Sequence, residues 1–169
     1  EHLLDRALEP ALNDHFSRLD ELDDLEAAES FFDFKVADIA MGSGHFLIAA
    51  VDRIEARLSG YLVNRSLPQI ALELERIRSV ALGALGELAD THPDIEDNSL
   101  LRRQIARRCI YGVDLNEVAV QLARLAIWIH TFVPGLPLSL LDRNLVHGNS
   151  LIGIGQLSEL EDKVRSIAK

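Results

Sequence analysis

Cysteine is scarce in this chain of 169 residues, where Cys109 is the single thiol. One cysteine excludes an internal disulfide and a cysteine-rich zinc site. The six histidines show no His-x-x-x-His spacing, so no metal ligand set is predicted. We therefore expect a protein of a reducing compartment, the cytoplasm, in which Cys109 is a small buried residue.

Positive charge is also in short supply, with 17 Lys and Arg against 27 Asp and Glu, a net charge of −10. Such a chain is poorly suited to binding a nucleic-acid backbone over a broad surface, because that binding depends on Lys and Arg side chains that neutralise the phosphates. If the protein acts on DNA or RNA, most phosphate contacts must come from outside these residues.

Long apolar runs are missing as well. The longest uncharged stretch, 125–141, contains a histidine and two prolines, so it predicts a helix end and a turn instead of a membrane span. The first 12 residues are charged and amphipathic, unlike a signal peptide. With no membrane contact expected, the 48% of apolar residues predict one globular domain with a real core. The chain begins with Glu1, which suggests either a processed chain or a piece of a longer protein.

Short apolar strands alternate with helical periodicity along the chain. Strands are predicted at 34–40, 110–114 and 145–147. This alternation implies parallel strands joined by right-handed crossovers, hence an α/β fold with a sheet of about three strands. Five segments follow: an amino-terminal helix (1–30), a first motif (31–60), a helical insertion (61–108), a second and third motif (109–155) and a charged tail (156–169).

Four features of the helices are open to direct test. The acidic stretch 20–29 is expected to be solvated, and Gly60 is expected to end the helix that begins at His45. The helix from Asn116 to Phe132 is apolar on most sides, so it is predicted to be mostly buried, with Trp128 and Phe132 in the core. The arginines of 102–108 are interpreted as a solvated face paired with acids, although contact with DNA phosphates is an alternative.

The strongest chemical signal is segment 38–47, Asp-Ile-Ala-Met-Gly-Ser-Gly-His-Phe-Leu. A strand ends in a Gly-Ser-Gly turn and a helix starts at once. Glycines let a ligand approach the main chain, and the helix start offers free N–H groups and a partial positive charge. Leu47 stands where the dinucleotide fingerprint needs a small residue, and no Gly-Lys-Ser/Thr triplet is present. The turn therefore suits a carboxylate or phosphate but fits neither nucleotide class.

Two further polar residues follow the next two strands. Asp114 ends the second strand, where an acid can accept hydrogen bonds from both hydroxyls of a ribose. Asn149 follows the third strand, where an amide can pair with an adenine. The carboxyl ends of parallel strands are where open α/β sheets place ligands. The three motifs together predict a site for a charged tail, a ribose and an adenine.

These motifs resemble those of N6-adenine DNA methyltransferases. Segment 38–47 is similar to their S-adenosylmethionine motif, usually Asp-Pro-Ala-Cys-Gly-Ser-Gly-His-Phe-Leu, with Ile39 and Met41 as the two departures. Segments 107–123 and 137–153 resemble the second motif and the approach to the third. The long gap between Gly44 and Asp114 matches the helical insertion of large type IIG restriction–modification enzymes and phage-exclusion methyltransferases. The resemblance implies a partial Rossmann-like class I methyltransferase sheet.

The resemblance also implies roles for individual residues. The glycine turn would line the methionine portion of S-adenosylmethionine, and Asp114 would hold the ribose hydroxyls. Leu115 would pack against the adenine, and Asn149 would bind its amine. The implied cofactor-binding set is Asp38, Ala40, Met41, Gly42, Ser43, Gly44, His45, Phe46, Asp114, Leu115, Asn149 and Ser150.

The family's catalytic motif, Asn/Asp-Pro-Pro followed by an aromatic residue, is absent, because no two prolines here are adjacent. No catalytic residue is therefore assigned, and we expect the chain to stop before that motif. The implied function is cofactor binding within a bacterial enzyme that methylates adenine N6 at a specific DNA sequence. DNA would be bound by the rest of the protein, and the exposed sheet edges could drive self-association. A protein or RNA methyltransferase and a non-catalytic interaction module are the alternatives.

Overall fold

The computed structural model describes residues 2–86, 94–137, 141 and 143–151 as six helices around a small parallel sheet. The described helices and strands are α1 (His2–Asp20), α2 (Asp24–Ser30), β1 (Val36–Asp38), α3 (His45–Asn64), α4 (Pro68–Leu85), α5 (Asp97–Arg108), β2 (Ile110–Asp114), α6 (Glu117–His130) and β3 (Leu145–His147). The predicted charged tail, 156–169, lies outside the described residues.

The sheet has the strand order β1-β2-β3, and both strand pairs are parallel. Val36 lies opposite Ile110, Gly112 lies opposite Leu145, and Asp114 lies opposite His147. All three strands therefore present their carboxyl ends at the same edge of the sheet, which we call the carboxyl edge. The prediction of an α/β, partial Rossmann-like fold with three parallel strands is confirmed.

Helix α3 is the centre of the core. It packs against α1, α5, α6 and the first two strands. Its inward side chains Leu47, Ile54 and Leu58 are fully buried. Burying a leucine or isoleucine side chain contributes about 1.5–3 kcal/mol, so this contact stripe fixes where α3 begins relative to the sheet. The start of α3 is thereby held beside the carboxyl edge.

Cys109, just before β2, is buried as predicted. Its Sγ lies 3.5 Å from the carbonyl oxygen of Phe32. Burial raises the pKa of the Cys109 thiol to about 12. The residue is therefore a neutral core side chain and not a reactive thiolate.

Two local predictions near the amino terminus are corrected in part. The acidic side chains of 20–29 are exposed, as predicted, but α2 forms within this stretch and buries Ala27 and Ala28. Asp23 begins this helix by accepting hydrogen bonds from the backbone N–H groups of Leu25 and Glu26, both at 2.9 Å. The strand predicted over 34–40 is shorter in the structure, where β1 covers only Val36–Asp38.

Gly60 does not end α3, which continues to Asn64. A glycine inside a helix costs only about 1 kcal/mol relative to alanine. The partly buried Tyr61 and Leu62 pack against the core beyond it. That burial outweighs the cost, so the helix runs through the glycine.

The prediction that α6 is mostly buried was also wrong. Only one stripe of this helix, Val120, Ala123 and Ile127, is buried. The other apolar side chains lie on the solvent side, and Trp128 is only partly buried. The exposed set on and next to α6 comprises Val118, Leu122, Leu125, Ile129 and Phe132.

The arginines of α5 were predicted to form one solvated face, but in the structure they differ in burial. Arg102 and Arg108 pair with the carboxylates of Glu55 and Glu73, both at 3.3 Å, as expected. Arg103 instead lies inside the protein, with 2% of its surface exposed. Its guanidinium donates to the carbonyl oxygen of Pro137, which is what holds the group inside.

None of the described helices is both long and apolar enough to cross a membrane.

Gly112 provides the space in which the sheet and the first motif meet. A Cβ at this position would lie 2.3 Å from Met41 Sδ and 3.1 Å from Leu145 Cδ2 and Leu47 Cδ1. We predict that Gly112→Ala lowers the free energy of unfolding by about 1–3 kcal/mol, the range for overpacking a core. Chemical denaturation measures this change.

The matched control is Gly60→Ala. No atom lies within 4 Å of a Cβ built at Gly60, and the residue sits inside a helix. This variant is expected to raise the free energy of unfolding by about 0.5–1 kcal/mol. A Gly112→Ala protein as stable as the Gly60→Ala protein would contradict the packing described here.

Candidate functional site

The turn that follows β1 is held by backbone and side-chain hydrogen bonds. Asp38 accepts a hydrogen bond on Oδ1 from the N–H of Ala40, at 3.0 Å. The N–H of Met41 donates to the carbonyl of Val113 at 3.2 Å, which ties the turn to β2. The Met41 side chain is directed into the core, with 4% of its surface exposed. Asp38 thus supports the turn through a local hydrogen bond, and the buried Met41 side chain anchors the turn to the core.

The two glycines of the turn have different roles. Gly42 has φ +54°, a left-handed conformation that favours glycine, and a Cβ there would meet no atom within 4 Å. Gly44 has φ +84°, and a Cβ there would lie 3.1 Å from the Cβ of Ala123. Gly44 therefore allows α3 to approach α6 closely, whereas Gly42 leaves open space beside the main chain.

The start of α3 faces the same turn. Gly44 is the N-cap residue and provides no side-chain hydrogen bond to the helix. The first N–H groups of a helix have no partner within it, and the helix dipole makes this end partly positive. Ser43 Oγ lies 2.9 Å from Nδ1 of the exposed His45, so these two side chains bind each other and not the helix start. The N–H groups are left for water or an anionic ligand.

Asp114 links the tip of β2 to the glycine turn. Its Oδ2 accepts a hydrogen bond from the N–H of Gly42 at 2.8 Å, and its Oδ1 accepts one from the N–H of Asn116 at 2.8 Å. These two bonds, together with the charge of His147, lower the pKa of the Asp114 carboxyl below its ordinary value. Each carboxylate oxygen keeps a second lone pair, so Asp114 can still accept hydrogen bonds from a ligand.

The tip of β3 joins the same edge. The N–H of Gly148 donates to the carbonyl of Asp114 at 3.0 Å, and the His147 ring donates from Nε2 to the carbonyl of Leu115 at 2.9 Å. Asn149 is exposed, and its Oδ1 accepts a hydrogen bond from the N–H of Leu151 at 2.9 Å. The Asn149 amide is therefore partly occupied by its own turn, while its nitrogen donates to no described residue.

The sequence-predicted residues fall into three groups. Asp114 and Gly42 are in direct contact through a hydrogen bond. Met41, Gly44 and Phe46 pack wholly or partly against the protein interior. The remaining predicted residues are exposed or half-exposed around the edge, with no hydrogen bond between Asn149 and the glycine turn: Asp38, Ala40, Ser43, His45, Leu115, Asn149 and Ser150.

His147 is a member of this edge that sequence analysis did not single out. It lies opposite Asp114 in the β2–β3 register and fixes the loop at Leu115. Its position depends on the pairing register, and the only available signal was its place at the end of the third predicted strand.

The edge combines three kinds of group that a single ligand could use. Free backbone N–H groups at the start of α3 suit a carboxylate, and the Asp114 carboxylate suits hydroxyl groups. The exposed Leu115 side chain, with 69% of its surface in solvent, offers an apolar surface next to that carboxylate. Within the described ranges, no cluster of three or more His, Cys, Asp or Glu side chains could hold a metal ion.

The lowered pKa of Asp114 gives a direct test of these contacts. We predict that the Asp114 carboxyl carbon titrates in an NMR experiment with a midpoint below 3.8, the ordinary value. Because the folded-state pKa is depressed, the ionised group stabilises the protein above its ordinary pKa. That stabilisation is lost as the pH falls through the lowered pKa. The difference in free energy of unfolding between wild type and Asp114→Asn should therefore shrink on acidification, and a midpoint at or above 3.8 would contradict the two hydrogen bonds.

Comparison with known proteins finds a similar relative. The chain is 28% identical over 165 aligned residues to a Methanocaldococcus jannaschii protein named "Putative type II restriction enzyme and methyltransferase". The alignment covers 84% of this chain but only 12% of the relative. The chain therefore spans a small part of the relative's length. No family model matches the chain, and no solved structure matches it. The similarity thus connects the chain with one segment of a restriction–modification methyltransferase from an archaeon.

Proposed function

We propose that this chain is the cofactor-binding part of an S-adenosylmethionine-dependent methyltransferase of a restriction–modification system. The observation that carries the proposal is the hydrogen bond between Asp114 and Gly42, which brings the ends of two motifs together at the carboxyl edge. The similarity to the archaeal restriction enzyme and methyltransferase supports the same assignment.

The residues at the carboxyl edge fit S-adenosylmethionine in chemistry. Its carboxylate suits the N–H groups at the start of α3 and the open space beside Gly42. Its ribose hydroxyls suit the free lone pairs of Asp114, and its adenine suits the exposed Leu115 side chain. When bound, S-adenosylmethionine supplies an activated methyl group.

The chain's own contribution is to bind and orient. The glycine turn and α3 hold the charged end of the cofactor, while Asp114 fixes its middle. Asp114 is ionised at neutral pH, and two backbone N–H groups stabilise its charge further. Placing a reactive group in a fixed position is the main task in a displacement that needs no covalent enzyme intermediate.

The substrate that we propose is adenine in DNA, methylated at N6. The support is the order and form of the three sequence motifs, which resemble those of N6-adenine DNA methyltransferases, together with the helices α4 and α5 between Gly44 and Asp114. The DNA contacts and the catalytic motif would belong to other parts of the natural polypeptide. That assignment agrees with the net charge of −10.

Calorimetric titration of S-adenosylmethionine into the natural polypeptide tests the proposal. We expect saturable binding that Asp114→Ala weakens by about tenfold or more, since hydrogen bonds to a charged group contribute about 1.5–3 kcal/mol. Asp114 also holds the glycine turn, so Leu115→Ala is a second variant. Its exposed side chain can be removed without loss of core packing, and it should also weaken binding.

The control is Asp14→Ala, an exposed acid on α1 whose removal should leave the affinity unchanged. Absence of binding by the wild type, or equal affinities for wild type, Asp114→Ala and Leu115→Ala, would refute the cofactor assignment. Incubation with labelled S-adenosylmethionine and DNA, followed by analysis of the nucleosides, tests the substrate. Label in protein or RNA but not in N6-methyladenine would refute the choice of DNA.

A further inference from the structure

A cavity lies at the amino end of the sheet, opposite the carboxyl edge. Helices α4 and α5, together with Leu136, Pro137, Arg143 and Asn144, line this cavity of about 820 Å³. Arg107 and Asn144, which line it, stand just before β2 and β3 respectively. The cavity is therefore separated by the length of the strands from Asp114 and the glycine turn.

Four arginines line this cavity: Arg76, Arg103, Arg107 and Arg143. The described residues place no carboxylate within ion-pairing distance of any of them. Glu73 is the acid on the wall, and its carboxylate is engaged by Arg108, with Nη1 at 3.3 Å from Oε1. The cavity is therefore strongly positive in a chain whose net charge is −10.

Arg103 makes the cavity unlike a solvated basic surface. The residue is 98% buried, since only 2% of its surface is exposed. One guanidinium nitrogen, Nη2, donates to the carbonyl of Pro137, while Nη1 is buried without a hydrogen-bond partner among the described residues. A buried guanidinium with an unsatisfied donor is costly, and a bound anion would compensate for that cost.

The wall around Arg103 and Arg107 is braced in place. Asn144 donates from Nδ2 to the carbonyl of Arg107 at 2.7 Å and to that of Ile110 at 3.0 Å. The N–H of Gly112 donates to the carbonyl of Asn144 at 2.9 Å. These bonds fix the end of α5 against the start of β3, so the arginine positions are set by the sheet.

We propose that this arginine cavity binds a phosphate group. Guanidinium groups form charge-assisted, often bidentate hydrogen bonds with phosphate oxygens. Repulsion among four guanidinium groups that pair with no described carboxylate is relieved when a multiply charged oxyanion lies between them. Such a phosphate group belongs either to a free phosphate compound or to the backbone of a nucleic acid.

The inference goes beyond the proposed function, because the cofactor edge and the arginine cavity share no residue. Titration of inorganic phosphate into the natural polypeptide tests it. We expect saturable binding that Arg76→Glu and Arg107→Glu each weaken by about tenfold or more, the size expected for one lost charged hydrogen bond. Both side chains are exposed, so these variants should fold, which thermal melting checks.

The matched control is Arg6→Glu, which reverses an exposed arginine on α1 that does not line the cavity. It should bind phosphate like the wild type. No saturable phosphate binding by the wild type, or equal affinities for wild type and both cavity variants, overturns the proposal. The phosphate titration needs no cofactor, so its outcome is independent of whether S-adenosylmethionine binds.

A short DNA duplex distinguishes the two sources of phosphate. If the cavity holds a nucleic-acid backbone, Arg76→Glu and Arg107→Glu weaken DNA binding at fixed salt more than Arg6→Glu does. If the cavity holds a free phosphate compound, the cavity variants bind inorganic phosphate more weakly but bind DNA as the control does. Each result supports a phosphate site and identifies which kind of molecule provides the phosphate group.

Discussion

The hydrogen bond from the Gly42 N–H to Asp114 Oδ2 is the constraint on which the candidate site depends. It joins the loop after β1 to the tip of β2, two segments that are far apart in the sequence. Without it, the glycine turn would be tied to the sheet mainly by the Met41–Val113 backbone bond and the buried Met41 side chain. Asp114 thus has two tasks, because the carboxylate that would hold a ligand also holds the turn that faces that ligand.

The strand register explains why a small sheet can form such a site. Parallel pairing puts Asp38, Asp114 and His147 at the ends of adjacent strands. The absence of a side chain at Gly112 lets Met41 lie between β2 and α3, which draws the turn toward the sheet. The opposite end of the same strands lies beside arginines instead of acids. The carboxyl edge thus offers a carboxylate and backbone N–H groups, whereas the other end offers guanidinium groups.

Much of this arrangement follows from local sequence. The second and third strands and the start of α6 at Asn116 were predicted from residue patterns, because they depend on nearby residues. The contact between Asp114 and Gly42 could be expected once parallel strands were assumed. The burial of Arg103 could not, because it depends on the carbonyl of Pro137, more than 30 residues away in the sequence. The exposed face of α6 was missed for a related reason: periodicity shows which residues are apolar, but not which stripe the sheet covers.

The most direct test of the central constraint is hydrogen exchange at the Gly42 amide, measured residue by residue by NMR in wild type and in Asp114→Ala. A hydrogen-bonded N–H in a stable contact exchanges slowly, whereas a solvent-facing N–H in a turn exchanges rapidly. The account predicts a protected Gly42 amide in the wild type and loss of that protection in the variant, with the α3 core amide of Ile54 still protected. An unprotected Gly42 amide in the wild type would contradict it.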